Sequence, residues 1–212
     1  MPDTTLDHIV ITAPNLKSGV EWVRDTLDAT PEYGGMHPRM GTHNCLLSLD
    51  DQTYLEVIAP DPNAPRPDRS RWFELDNLDR HSQPRLAAWV ARTTDIKATV
   101  LAGSESLGVV EPMSRGDLNW MITVTDDGSL GLGGIAPILI EWRTPTHPSA
   151  GMRVSGCQLL HLELHHPEGQ RVEKLLQSVG IDNKKVGLKP LPDGEAPHLV
   201  AHIRTPQGDK TL

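Results

Sequence analysis

One succession of elements runs through the 212 residues twice and starts a third time: strand, helix, strand, strand, strand. It recurs at roughly 70–80 residues in element order, though not in residue identity. Such a chain has to build repeated small sheets, each with a helix on one face, and that constrains the fold more than any single motif. Leu6–Thr12 alternates apolar and polar positions with β-branched residues, the pattern of a strand. Pro14 breaks it, Asn15 is a candidate N-cap, and Leu16, Val20, Val23 and Leu27 recur at helical spacing. Strands are expected near Glu32–Met36, Asn44–Leu49 and Thr53–Ala59. Four prolines between 60 and 67 then make an extended linker, and Asp68 is a candidate cap for a short helix reaching Leu78.

The order returns with a strand at Arg85–Thr93, a helix capped by Asp95, and strands at Val109–Pro112, Leu118–Thr125 and Pro137–Arg143. It begins again with Leu159–His165 and a helix opened by Pro167 and closed by Gly180, then strands at Val186–Leu191 and His198–Thr205. The reading is α+β, repeated βαβββ modules forming curved mixed sheets around a cup. Its parts are a first module at 1–62, a linker and short helix at 63–84, a second module at 85–149, and a third, truncated module at 150–212. The abundant Pro and Gly, 18 of each, suit strands joined by tight loops.

Several function classes fall away. A net charge of -8 argues against nucleic acid and anionic membrane, which need a clustered basic face. No apolar run approaches 18 residues, so a transmembrane helix is not expected. The N-terminus lacks a basic region followed by an apolar core. Cys45 and Cys157 lie far apart, each in or beside an apolar strand, and read as reduced, buried thiols of a cytoplasmic protein. Gly131, Gly133 and Gly134 precede a strand rather than joining a strand to a helix, which is the wrong context for a dinucleotide loop. No GxSxG elbow is present, and neither cysteine has a recognisable His partner.

Two polar residues interrupt the apolar strands of the first module: His8 and Glu56. An imidazole and a carboxylate facing each other across a curved sheet can share a metal ion; the plainer alternatives are a hydrogen-bonded core or rim histidine and a glutamate on the solvent face. His43 and Asn44, after Gly41 and Thr42, are candidate substrate contacts at the cup mouth, and alternation turns only one of them inward. Trp120 and Trp142 read first as core and second as a wall for a flat ligand, and Trp72 and Phe73 could cover the cup. His37 reads as a loop residue, and Glu163 and His165 as a solvent-facing strand side.

The stretches LDHIVITAPNL, GTHNCLLSLDDQTYLEVIAPDP and GGIAPILIEWRTPTHPS, spread over residues 6–149, resemble the vicinal oxygen chelate superfamily. That superfamily includes glyoxalase I, extradiol dioxygenases, methylmalonyl-CoA epimerase and the fosfomycin and bleomycin resistance proteins. Within it the chain is similar to the glyoxalase-like domain family. The resemblance implies that paired modules enclose a cup with metal ligands on the first and last strand of each module. Carried over, His8 and Glu56 match ligand positions, Glu141 matches the last-strand position of the second module, and His161 aligns with His8. About Ala88 stands where the second module would have its His, which departs from a four-ligand site. Two sets are open: His8, Glu56 and Glu141, or His8, Glu56 and His161 with Glu141 free as catalytic base. Either would hold a divalent ion (Fe, Mn, Ni or Zn) that chelates vicinal oxygens of a small-molecule substrate, in chemistry of the lyase/isomerase or dioxygenase type. The alternative is a metal-free protein that binds and sequesters a small molecule. An odd third module would leave a sheet unpaired or covered in a homodimer.

Overall fold

A computed structural model describes residues 3–181, 184–192 and 194–212. Eight strands form one curled sheet in the order β2-β3-β4-β1-β5-β8-β7-β6. Its first half is β1 (Thr4–Thr12), helix α1 (Leu16–Leu27), β2 (Glu32–His37), β3 (Thr42–Ser48) and β4 (Tyr54–Pro60). The second half is β5 (Arg85–Thr93), α2 (Ile96–Ala102), β6 (Val109–Arg115), β7 (Leu118–Val124) and β8 (Ile138–Trp142). The helix caps lie where the sequence puts them. The Asn15 side chain accepts from Ser18 N at 2.9 Å and the Asp95 side chain from Ala98 N at 3.0 Å, each supplying a partner to an orphan helix amide.

The halves repeat one pairing scheme. β1 runs parallel to β4 and β5 parallel to β8, while β1 and β5 join the halves antiparallel at the centre. The sheet curls far enough for its edge strands to meet: Arg39, just after β2, donates to Pro112 O of β6 at 3.0 Å. Unpaired edges are thereby turned toward each other.

Alternation sorts the strand residues onto two faces. The outer face carries Ile9, Ile11, Leu55, Val57, Trp89 and Leu139, packed under α1 and α2. The inner face carries Val10, Ile58, Ala88, Val90, Ile122 and Ile140. Trp89 is the largest fully buried side chain, and its Nε1–H donates to Ile135 O at 2.9 Å.

The last block departs from the expected third module. β9 (Gln158–His166), α3 (Gly169–Ser178), β10 (Val186–Pro190), β11 (His198–Thr205) and a short β12 (Gly208–Thr211) form a separate sheet in the order β10-β9-β11-β12. Here the parallel partner of the opening strand is β10, the strand directly after its helix, and β11 pairs with it antiparallel. The element order repeats; the pairing does not. Leu159, Leu162, Leu164, Leu199 and Ile203 join α3 and the outer face of the first sheet in one core. The apolar side of this small sheet is therefore buried within the same chain.

Two local expectations change. Pro167 lies before α3, whose cap residue is Glu168. The segment after the proline linker makes only a single 3₁₀ turn, Leu75–Asn77, because Phe73 and Glu74 both adopt left-handed backbone with φ of 57°. Among the described residues, no helix is long and apolar enough to cross a membrane.

Replacing Trp89 with Ala removes the central side chain of the outer core and orphans Ile135 O. Chemical denaturation is expected to show a loss of about 3–5 kcal/mol, against less than about 1 kcal/mol for an exposed control such as Leu101→Ala.

Candidate functional site

The inner face closes over a void lined by His8, His37, Asn44, Tyr54, Glu56, Trp72, Phe73, Arg115, Trp120, Ile122, Ile140 and Trp142. Its centre is a buried polar chain that starts at Asp7. In a regular strand Asp7 and His8 would face opposite ways. The register of β1 on β5 slips between Leu6 and His8, so Asp7 is the extra residue of a bulge. Its carboxylate thereby reaches its neighbour, and His8 Nδ1–H donates to Asp7 Oδ1 at 2.6 Å. Asp7 Oδ2 accepts from Trp142 Nε1 at 3.0 Å and from His147 Nε2 at 2.8 Å, with Arg92 Nη1 3.7 Å away.

The other ring nitrogen of His8 points into the void. Its Nε2 lies 3.6 Å from Glu56 Oε2, too long for a hydrogen bond but close enough for charge to act. Glu56 Oε1 accepts from Asn44 Nδ2 at 2.5 Å, and Asn44 Oδ1 accepts from Arg115 Nη1 at 3.0 Å. Arg115 reaches this place from the far edge of the sheet, over β2. Glycine makes the crossing possible: a Cβ on Gly34 would lie 2.5 Å from Asn44 Oδ1, and one on Gly35 2.7 Å from Arg115 Cδ. Tyr54 stacks on His8 with ring centroids 4.4 Å apart.

These contacts set the charges. Burial alone pushes His8 toward the neutral form, but the Asp7 hydrogen bond and the charges of Asp7 and Glu56 outweigh it, raising its pKa to about 9. Burial pushes Glu56 the other way, and His8, His37 and Asn44 overcome it, lowering its pKa to about 2. Asp7 is likewise held well below the usual carboxylate range: its burial is outweighed by hydrogen bonds from His147 and His8. His37 has no buried carboxylate at hydrogen-bonding distance. Burial carries it down to about 4, so it is a neutral imidazole at pH 7.

The void itself is small, about 30 Å³, room for one or two waters. Trp72 and Phe73 roof it. A second void of about 240 Å³, lined by Pro38, Arg39, Pro112, Met113 and Ser114, lies beyond His37, Trp72 and Trp120, which border both. Trp72 Nε1 is buried without a hydrogen-bond partner, so no polar tie fixes the indole that separates the two spaces.

Of the residues singled out in the sequence, His8, Glu56, Asn44 and Trp120 come together around this void. His43 does not; it sits on the opposite face of β3 from Asn44, as alternation requires. Glu141 also faces outward, between the inward Ile140 and Trp142. Its Oε2 accepts from Ile96 N at 3.0 Å at the start of α2, and its Oε1 pairs with Arg143 at 3.0 Å. His161 belongs to the separate sheet, its ring lying over Gly187. The geometry brings neither Glu141 nor His161 to His8. His37, read from the sequence as a loop residue, is instead the buried end of β2 and lines the void. Asp7, Arg115 and His147 carried no sequence signal: a bulge hides the first, and the sheet's curl brings in the second.

The donor set bears on a metal ion. By register Val10 pairs with Glu56 and Val90 with Ile138, so the second-half counterpart of Glu56 is Ile138, while Ala88 stands for His8. Both counterparts are apolar. Among the described residues no three His, Cys, Asp or Glu side chains are placed to hold one ion. The residues present do not fit the four-ligand cage of the superfamily. Nor is Ser149, bonded to His147 Nδ1 at 2.6 Å, an activated nucleophile: its hydroxyl donates to Asp51 O at 2.6 Å.

A curled sheet of two pseudo-equivalent halves thus encloses a buried, charged cup. The glyoxalase-like domain model matches residues 6–180, and the chain belongs to that family, within the vicinal oxygen chelate superfamily. No curated protein matches. A hypothetical protein from Staphylococcus aureus shares the fold at a TM-score of 0.59 and 13% identity, over 98% of this chain and 84% of that one. A variant of 4-hydroxymandelate synthase from Streptomyces coelicolor is similar at 0.51 and 16%, over 100% of this chain and 63% of that one. A methylmalonyl-CoA epimerase in complex with methylmalonyl-CoA matches at 0.46 and 19%, over 68% of this chain and 99% of that one.

The charges predict a pH profile. The folded pKa of His8 lies above its ordinary 6.5, so its pairing stabilises fully below that value and is lost as pH rises through about 9. The folded pKa of Glu56 lies below its ordinary 4.5, so its pairing stabilises above that value and is lost as pH falls through about 2. An NMR titration of the His8 ring is expected to show an apparent pKa near 9. Asp7→Asn should move it down toward 6.5 and cost about 3–5 kcal/mol of stability.

Proposed function

We propose that the cup binds a compact, oxygen-bearing organic anion and catalyses a proton transfer on it, chemistry of the lyase or isomerase type. The observation that carries this reading is the placing of two cationic groups, His8 and Arg115, on one apolar-walled void. His8 offers an Nε2–H whose nearest protein acceptor is 3.6 Å away. Arg115 uses Nη1 toward Asn44 and His37, and among the described residues Nη2 makes no hydrogen bond. Two neighbouring oxygens of one molecule can therefore each meet a positive donor, in a setting where water is scarce and charge acts strongly.

The residues then divide the work. Asp7 fixes the His8 ring and keeps it protonated, so that Nε2 can give a hydrogen bond or a proton to a developing oxyanion. A ligand oxygen that takes up the His8 charge removes that charge from Glu56. The basicity of Glu56 then rises from its depressed value, making it the group to accept a proton from carbon. Trp120, Trp142, Ile122 and Ile140 supply a dry wall. Turning Trp72 joins the small void to its larger neighbour and admits a molecule of several carbon atoms. No step here runs through a metal.

A second reading keeps the divalent ion. His8 Nε2 and Glu56 are its two protein donors, and ligand and water complete its shell; the ion would polarise the bound oxygens as a Lewis acid. The approach of His8 Nε2 to within 3.6 Å of Glu56 Oε2 across the cup favours it. Metal content after gentle purification separates the readings: a stoichiometric transition metal lost in Glu56→Gln supports the second.

Calorimetry with a panel of small 2-oxo and 2-hydroxy acids, in chelator-treated protein, tests the first. At least one acid should bind, with affinity falling about tenfold or more in Arg115→Met and in His8→Gln and unchanged in the distant His161→Ala. If no acid binds, or if Arg115→Met binds as well as wild type, the anion reading is wrong.

A further inference from the structure

Arg115 lines two spaces: the cup and a groove of about 650 Å³. Among the described residues it alone lines both. His147 continues the partition. It lines the groove, and its ring lies 5.8 Å from that of Trp142 and 5.9 Å from that of Tyr54, both of the cup. The floor of the groove prolongs the inner face of the sheet. Leu46 stands two residues from Asn44 on β3, and Leu118 two residues from Trp120 on β7, so each shares its neighbour's side of the strand.

The opposite wall is the segment between β8 and β9, which contributes Met152 and Val154. That segment is pinned in place. His147 bonds Asp7 at 2.8 Å, Ser149 Oγ donates to Asp51 O at 2.6 Å, and Ser155 Oγ donates to Ser48 O. The groove is therefore built before anything enters it. Leu46, Leu118 and Met152 are only partly buried, and Tyr33 and Val154, which also line it, are 63% and 82% exposed. Apolar side chains from separate segments that converge on an open concave space of this volume mark a place for a small molecule.

We propose that this groove receives an aliphatic tail of the acid whose polar end lies in the cup. The inference rests on the anion reading above and extends it. The substrate class is a 2-oxo or 2-hydroxy acid bearing a chain of several carbons. Its acid end meets His8 and Arg115, and its tail runs past Arg115 between Leu46, Leu118, Met152 and Val154. Asp28 and Glu32 offset Arg115 and Arg153 in the lining, so the groove offers a charged tail no net attraction. Aliphatic and thioether groups dominate its apolar lining, and the thioether of Met152 adapts to a flexible chain. The void of about 240 Å³ beyond Trp72 is the competing place for a tail.

Calorimetry on the full chain compares pyruvate and lactate with 2-oxooctanoate and 2-hydroxyoctanoate. A longer acid is expected to bind about tenfold or more tightly than its short counterpart. Met152→Ser/Val154→Ser strips the apolar wall without adding charge and should remove most of that gain. Methyl NMR of the wild-type protein separates the two chambers, because Met152 lines the groove and Met113 the void beyond Trp72. The longer acid should move the Met152 resonance and leave that of Met113 in place. If the short acids bind and the longer ones gain nothing, if the double variant keeps the whole gain, or if Met113 moves instead of Met152, the groove assignment is wrong and the anion reading stands. If none of the four acids binds, the anion reading falls and takes this assignment with it.

Discussion

A single buried carboxylate ties the structure together. Asp7 takes hydrogen bonds from His8 on its own strand, from Trp142 on β8 and from His147 in the loop beyond it. Burying a carboxylate is unfavourable unless its lone pairs are satisfied, and three donors from three segments satisfy it. The same contacts orient His8, anchor the loop to the sheet and hold the second half of the sheet against the first. Charge in the cup follows from it: Asp7 keeps His8 positive, and His8 keeps Glu56 negative.

Strain in the cover is held in a comparable way. Phe73 and Glu74 occupy left-handed backbone that residues with a side chain seldom adopt. They remain there because the segment is tied on both sides. Arg71 bonds Asp76 and the carbonyl of Gly41, and Glu74 N donates to Gly128 O at 2.9 Å. The roof is a fixed arch around a Trp whose own N–H is free.

Much of the first sheet was legible in the sequence because its signals are local. Asn15 and Asp95 cap helices through their own side chains, and alternation in β1, β4 and β5 marks an inner and an outer face. His8, Glu56, Asn44 and Trp120 could be nominated on that basis. Parity failed where the backbone departs from regular pleating or where a contact is distant. The bulge at Asp7 reverses its direction, and Arg115 arrives from a strand more than a hundred residues from His8. For Glu141 the misreading was one of register: it lies near the place suggested by family pattern, yet the pairing of Val90 with Ile138 moves the equivalent position three residues earlier. The third block misled for a related reason, since element order does not specify which strand pairs with which.

The two halves of the sheet are alike in path and unlike in lining. On one side stand His8, His37, Asn44 and Glu56, while the counterparts Ala88 and Ile138 and the neighbouring Ile122, Ile140 and Trp120 leave the other greasy apart from Arg115. A pseudo-dyad that persists in the backbone has been erased from the chemistry. The lining thus has one polar and one apolar end, and a guest of the kind proposed above, hydrophilic at one end, would meet that polarity in only one end-for-end orientation.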